Sequence, residues 1–197
     1  MISKTEIVWR HLLVAALDRG SRRSSLTQLS AELDLPVSTI HQAVERPREI
    51  GAIRGGTRGL RVLDPRRLQL LWAARRNVKQ DVVYATRAPM SIAEIEERLP
   101  ESAIPTAYTA YVGYEGRNLV ADYDQVVVYA DGSEMRKLFA PRRGAPNLLV
   151  LDPDPLLPRY GRMAPRCQVY ADLFNLRSWQ AQRFLESLDR QLLRDVA

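Results

Sequence analysis

The chain has 197 residues, of which 46% are hydrophobic and 26% charged, and its formal net charge is +6. This balance is typical of a globular protein and excludes wholesale disorder, and the length allows one large domain or two small ones. No apolar run reaches membrane-spanning length and the N-terminus lacks a signal-peptide pattern, so a cytoplasmic protein with no membrane partner is expected. Its single cysteine excludes an internal disulfide and a cysteine-based zinc site.

The positive charge is concentrated in the first third of the chain. Residues 1–67 contain 12 Lys and Arg against 7 Asp and Glu, whereas residues 68–197 contain 17 against 16. A local basic excess is the electrostatic footprint of a domain that binds a polyanion. Charge alone leaves that function open, because many domains that bind no nucleic acid carry a similar excess.

Two helices are predicted at the N-terminus. Apolar residues at helical spacing predict the first over residues 4–19, and Gly20 ends it. A polar, basic loop is predicted over residues 21–25. Ser25 and Gln28 have the spacing of a capping box, which predicts that a second, short helix opens there.

The third predicted helix follows a turn at residues 34–36 and has two different faces. It begins at Pro36 or Val37, since proline is tolerated in the first helical turn. Because Pro47 lacks an amide N–H and clashes with the preceding turn, the helix is expected to end or bend near residues 45–46. The residues predicted on its buried face are Val37, Ile40 and Val44.

The outward face of this third helix is polar and predicts a recognition helix. Two short helices joined by a tight turn form a helix-turn-helix, whose second helix enters the major groove of DNA. A glutamine there can form two hydrogen bonds with adenine, and a threonine methyl can touch thymine. The residues predicted to contact DNA from this helix are Ser38, Thr39, His41, Gln42 and Arg46.

A basic, glycine-rich hairpin is predicted next. Residues 50–54 (IGAIR) end the helix and begin one strand, residues 55–59 (GGTRG) form the turn, and residues 60–63 return as the second strand. Arginines on such a hairpin are well placed for phosphates or for the minor groove. The predicted contact residues are Arg54, Thr57, Arg58 and Arg61. In this order, the helix, the helix-turn-helix and the hairpin predict a winged helix-turn-helix that binds double-stranded DNA.

The remaining two-thirds predict a mixed α/β domain. A linking helix is expected over residues 65–77, opened by Asp64 as N-cap. Strands are predicted at residues 81–85, 125–130 and 147–151. Helices are predicted at residues 91–99, 133–139, 165–175 and 178–196. Residues 107–112 fit either a helix or a strand, and a helix that begins near residue 105 is favoured. This irregular alternation favours an α+β fold with a small sheet and a long C-terminal helix. The predicted domains are 1–78, with the winged helix-turn-helix and linking helix, and 79–197.

Candidate catalytic groups are sparse. Asp122 with Asp124, and Asp152 with Asp154, could each offer paired carboxylates to a divalent metal. Such pairs arise readily by chance, and an aspartate between prolines is ordinary turn chemistry. The two histidines are far apart in sequence, and no phosphate-binding loop motif is present. The chain is therefore interpreted as a non-enzyme without cofactor or metal.

Two blocks of the sequence, together with the terminal helix around residues 182–188, resemble AbiEi-type antitoxins of type IV toxin–antitoxin systems. The first is residues 59–68 (GLRVLDPRRL), followed by Trp72 and Ala73. The second is a late block, which matches the family at Pro165, Gln168, Tyr170, Asp172 and Leu173. The resemblance covers most of the chain. It implies an antitoxin that represses its own operon by binding DNA repeats, and whose C-terminal domain neutralises a co-encoded nucleotidyltransferase-like toxin.

Two other functions fit the same residues. A one-component transcriptional regulator would join the DNA-binding domain to a C-terminal domain that binds a small ligand. A metal-dependent nuclease would need a metal at one of the two aspartate pairs. A neighbouring nucleotidyltransferase-like gene would favour the antitoxin, and Asp→Ala substitutions test the nuclease. No heptad pattern or dimer stripe is visible, so the oligomeric state stays open.

Overall fold

The protein is described here by a computed structural model that covers residues 1–56, 59–115 and 120–194. The fold is mixed α+β, with helices and two small sheets in the described part of the chain. The chain divides into two compact units: Ile2–Arg76 with the residues from Leu188 onward, and Asn77–Ser187 with Met1. None of the helices described combines the length and apolar character that crossing a bilayer requires.

The first unit contains four helices and three short strands from its N-terminal segment. In chain order these are α1 (Lys4–Leu17), β1 (Arg23–Ser24), α2 (Leu26–Leu33), α3 (Val37–Glu49), β2 (Ile53–Gly56), β3 (Gly59–Val62) and α4 (Pro65–Arg75). The strands form an antiparallel sheet in the order β1-β3-β2. Helices α1 and α2 both pack on α3, and α4 packs on α1, so α1 and α3 lie at the centre of this unit.

Local hydrogen bonds explain where the first two helices begin. Ser3 and Glu6 form a capping box at the start of α1, which the sequence analysis did not identify. At α2 the Ser25 hydroxyl accepts from the Gln28 amide, as the predicted box requires. The reciprocal bond, from the Ser25 amide to the Gln28 side-chain oxygen, is absent, and the Gln28 side chain donates from Nε2 to Glu32. Ser25 therefore acts as a simple N-cap.

The sequence predicted that α3 ends or bends near residues 45–46; it does not end there, since it runs through Pro47 to Glu49. In an α-helix the amide at position 47 would donate to the carbonyl of residue 43, and proline has no amide hydrogen. The indole Nε1 of Trp9 donates to that Ala43 carbonyl at 2.7 Å. Trp9 of α1 thus supplies the donor that the Ala43 carbonyl would otherwise lack. The sequence around Pro47 gives no sign of this hydrogen bond.

Two further expectations for this unit are corrected. Arg23 and Ser24, predicted in a loop, form β1 and pair with Arg61 and Leu60 of β3. Val37, predicted on the buried face of α3, is 42% exposed because it occupies the first position of the helix. The buried face consists of Ile40, Ala43, Val44 and Pro47.

The second unit is built on a four-stranded sheet. Its strands are β4 (Val82–Thr86), β5 (Ile104–Thr106), β6 (Val126–Tyr129) and β7 (Leu148–Leu151). Its helices are α5 (Ile92–Glu97), α6 (Ala107–Glu115), α7 (Gly132–Leu138), α8 (Arg166–Phe174) and α9 (Trp179–Arg194), of which α9 continues past Ser187. The sheet order is β4-β7-β6-β5, with β6 parallel to β7 and the other pairs antiparallel.

The central strand β6 is buried on both faces. Val126 and Val128 belong to an apolar cluster with residues of α5 and α7, including Ile95 and Met135. On the opposite face, Tyr129 donates from its hydroxyl to the buried Asp172 carboxylate of α8. Alternate side chains of a strand point to opposite faces, so β6 packs on α5 and α7 through one face and bonds to α8 through the other.

Strand β5 occupies the position where a helix was expected to begin near residue 105. Its backbone pairs with β6 from Ile104 to Thr106, and α6 starts only at Ala107. Ala107 has a φ of +49°, a left-handed conformation that turns the strand sharply into the helix. Proline is tolerated at Pro105 because β5 lies at the edge of the sheet.

Candidate nucleic-acid interface

The outer face of α3 carries the predicted recognition residues together. Ser38, His41, Gln42 and Arg46 are exposed and Thr39 is half-buried. They lie opposite the buried stripe of α3, which fixes the rotation of the helix. The first half of α3 thus presents hydroxyl and amide groups to solvent.

Two side chains on this face have carboxylate neighbours. Arg46 Nη1 lies 2.8 Å from a carboxylate oxygen of Glu49, and His41 Nδ1 lies 3.6 Å from one of Glu45. Helix α3 contains as many glutamates as arginines, so their charges balance. The face is therefore polar and hydrogen-bonding rather than strongly basic.

The sheet of this unit gathers arginines that are separate in sequence. Arg61 is the cross-strand partner of Arg54 on β2 and of Arg23 on β1. Residues directly opposite each other in a sheet share a face, so the three side chains form one row across it. All three are exposed. We call Arg23, Arg61 and Arg54 the arginine row.

Glycines shape the surface beside the arginine row. The row lines a recess of about 370 Å³ together with Gly55, Gly56, Gly59 and Leu60. Gly59 has a φ of +94°, and a Cβ there would stand 2.5 Å from the Ser24 carbonyl oxygen. Gly59 therefore lets β1 approach β3 closely and brings Arg23 into the row.

A fourth arginine connects α3 with the hairpin. A Cβ added to Gly55 would lie 2.5 Å from Nη2 of Arg48, so the guanidinium of Arg48 rests directly on the glycine backbone. This contact holds the end of α3 against β2, and the two elements also pack along their length. The polar face of α3 and the arginine row consequently belong to one compact unit.

Some of these residues were predicted from sequence patterns and others were not. Arg54 and Arg61 lie on the hairpin as predicted, whereas predicted Thr57 and Arg58 fall outside the described residues. Arg23 was missed because a two-residue strand is too short to show alternation. Its available signal was the Arg22-Arg23 pair in a predicted basic loop.

Two aspartates of the second unit have structural roles: Asp154, from one of the pairs considered for a metal, and Asp131 at the start of α7. Asp154 is buried and accepts a hydrogen bond from the Leu156 amide. Asp131 caps α7 by accepting from the amides of Ser133 and Glu134, and these bonds hold its pKa below the ordinary value. Within the described residues, no group of three or more His, Cys, Asp or Glu side chains is arranged to hold a metal ion.

The late block of the family resemblance lies in the interior of the second unit. Its five matching residues are all buried: Pro165, Gln168, Tyr170, Asp172 and Leu173. Asp172 accepts hydrogen bonds of 2.7 Å from the hydroxyls of both Thr106 and Tyr129. This network ties α8 to β5 and β6, so the observed role of these residues is in the fold rather than on a contact surface.

The chain matches no protein-family model, no curated protein and no solved structure. The geometry of its two units is thus the basis for assigning a function.

Proposed function

We propose that the protein binds double-stranded DNA through its first unit, as a winged helix-turn-helix. The observation that carries the proposal is the exposed polar face of α3 in the same compact unit as the arginine row. The order of α1, β1, α2, α3 and the β2–β3 hairpin supports the same architecture. A helix with polar contacts for base edges and a basic hairpin for phosphates supply the two kinds of contact that sequence-specific binding needs.

In this proposal α3 reads bases in the major groove. Ser38, Thr39 and Gln42 are the residues near its N-terminal end, which lies closest to the base edges in helix-turn-helix proteins. Gln42 is exposed on the outer face of α3. It is thus available for paired hydrogen bonds to an adenine.

The experiment is selection of bound duplexes from a random-sequence pool by the full chain. Wild type should enrich a defined motif, and Gln42→Ala should relax the preference at one base position, with a loss of about 1–3 kcal/mol of discrimination there. Gln80→Ala, an exposed glutamine outside the first unit, is the matched control and should enrich the wild-type motif. Enrichment of no motif, or of one unchanged by Gln42→Ala, would contradict base reading by α3.

We further propose, from the family resemblance, that the protein is an antitoxin that represses its own operon and counteracts a nucleotidyltransferase-like toxin. The late-block residues support a similarity of fold to that family, because all of them are buried. Any direct contact with a toxin must therefore use other side chains. Large apolar side chains are exposed at both ends of the α8–α9 connection, Phe174 at 47% and Trp179 at 67%.

Co-expression with the product of the adjacent gene tests the antitoxin proposal. The full chain should restore growth to cells in which that product is toxic. If the two proteins co-purify, Trp179→Ala should weaken their association, while Leu138→Ala, which removes another exposed apolar side chain elsewhere on the second unit, should not. Failure to restore growth would contradict the antitoxin role and leave the DNA-binding proposal standing.

A further inference from the structure

We propose that the outer face of the β1-β3-β2 sheet is a phosphate-binding surface, in which the arginine row holds the sugar-phosphate backbone of the DNA beside the segment that α3 reads. This inference rests on the proposed DNA-binding function. It extends the contact surface from the hairpin to β1, whose Arg23 completes the row.

The arginine row places like charges in direct opposition. Arg61 faces Arg23 on one side and Arg54 on the other, in cross-strand positions where Cβ atoms lie about 4.5–5.5 Å apart. Like charges directly opposite each other destabilise a sheet. The isolated protein therefore carries an electrostatic cost at this surface, and a bound anion would remove it.

The surroundings of the row do not neutralise it. Among residues 1–56, 59–115 and 120–194, no carboxylate forms an ion pair with Arg23, Arg54 or Arg61. The arginines of α3 differ in this respect, since Arg46 is paired with Glu49. Guanidinium groups that lack a carboxylate partner and point to solvent are free to form charge-assisted hydrogen bonds with phosphate oxygens.

The shape of the surface favours a chain of phosphates over a single phosphate ion. Three strands about 4.8 Å apart spread the row over about 10 Å. The recess beside it is lined in part by Gly55, Gly56 and Gly59. At Gly56 even an added Cβ would meet no heavy atom within 4 Å, so a backbone can approach closely there. An extended phosphodiester strand fits the row along its whole length.

The test compares three single variants of the full chain. Arg61→Gln removes the central charge of the row. Gly56→Glu adds a carboxylate on the face of Arg54, two residues along β2, where a Cβ meets no heavy atom within 4 Å. Arg66→Gln is the matched control, because Arg66 is an exposed arginine on α4 of the same unit and outside the row.

Arg61→Gln and Gly56→Glu are expected to increase thermal stability and to decrease affinity for DNA. At low salt, Arg61→Gln and Gly56→Glu should each raise the melting temperature by about 1–3 °C, because repulsion within the row is relieved. Both should weaken binding to a random-sequence duplex, and Arg61→Gln should reduce the slope of log K against log salt by about 0.9. Arg66→Gln should change neither the affinity nor this slope.

The inference is overturned if Arg61→Gln and Gly56→Glu both bind the duplex with the affinity and salt slope of Arg66→Gln. If Gln42→Ala still alters base preference in that case, the proposed DNA-binding function survives and the role of the arginine row alone is wrong. If wild type binds no duplex, the proposed function and this inference fail together. Lower melting temperatures in both row variants would also contradict it, because they would show that the row stabilises the free protein.

Discussion

Trp9 of α1 donates an indole hydrogen bond of 2.7 Å to the carbonyl of Ala43, the helical acceptor that Pro47 leaves without an amide donor. Trp9 and Ala43 are 1% and 2% exposed, so water does not supply the missing donor. An unsatisfied buried carbonyl costs about 1–3 kcal/mol. This single contact allows the proposed recognition helix to continue through a proline and pins it to α1.

Trp9→Phe should therefore destabilise the protein by more than the loss of indole packing. The additional cost is about 1 kcal/mol or more, because the Ala43 carbonyl loses its donor. Pro47→Ala restores an amide at position 47, so Trp9→Phe should cost about 1 kcal/mol less in that background. Urea unfolding of wild type, the two single variants and the double variant measures this coupling. If Trp9→Phe costs the same free energy of unfolding, within about 0.5 kcal/mol, with proline or alanine at position 47, the proposed role of the Trp9 hydrogen bond is contradicted.

Gly59→Ala should disrupt the attachment of β1 to β3. The left-handed φ of +94° costs a residue with a Cβ about 1–3 kcal/mol, and this Cβ would also collide with the Ser24 carbonyl. Gly56→Ala is the control on the same hairpin, since its Cβ meets nothing within 4 Å, and should cost no more than about 0.5 kcal/mol. Equal unfolding free energies for the two variants would show that the close approach of β1 is unimportant.

Tyr129→Phe should cost more stability than Tyr111→Phe. Both rings are buried, but the Tyr129 hydroxyl donates to the carboxylate of Asp172, whereas that of Tyr111 donates to the hydroxyl of Ser187. Hydrogen bonds to charged groups contribute about 1.5–3 kcal/mol and neutral ones about 0.5–1.5 kcal/mol. Denaturant unfolding compares the two variants directly, and the prediction is refuted if Tyr111→Phe is the more costly.

His11 should make the stability of the first unit depend on pH. Burial lowers the pKa of His11 below its ordinary value of 6.5, although the neighbouring Glu32 acts in the opposite direction. The unfolded chain therefore takes up a proton at this residue before the folded chain does as the pH falls. The contribution of His11 to stability is fully present above about pH 6.5 and is lost as the pH decreases toward the folded-state pKa.

Urea unfolding at pH 7.5 and pH 5.5 checks this dependence. The loss of stability at the lower pH should be smaller in His11→Gln than in wild type. His41→Gln, at the other histidine and on the exposed face of α3, is the control and should retain the wild-type loss. A loss that is identical in wild type and His11→Gln would contradict the assignment.

Much of the fold was predictable because its signals are local. The apolar stripe of α3 and the strand that became β6 follow from residue spacing alone. The continuation of α3 past Pro47 was not predictable from its own segment, since the compensating donor is Trp9, which lies 38 residues earlier. Strand β5 was missed for a related reason, because its pairing partner β6 lies more than 20 residues away.

Some residues of the candidate site were likewise predictable from a single segment, and others depend on pairing between distant segments. The polar residues of α3 were found from helical periodicity, and Arg54 and Arg61 from the glycine-rich turn between their strands. Arg23 required the register of β1 against β3, which depends on Gly59 accepting the close backbone of Ser24. The arginine row is thus a property of strand pairing that no single segment displays.

The most direct test of the central claim is the binding of the full chain to selected and random duplexes over a range of salt concentrations. The account predicts that log K for both falls linearly with log salt, with a slope of about −3 or steeper from the three arginines of the row. It also predicts that Gln42→Ala reduces the difference in affinity between the selected and random duplexes and leaves the slope of log K against log salt unchanged. Absence of duplex binding at low salt, or equal affinity of wild type for the two duplexes, would contradict it.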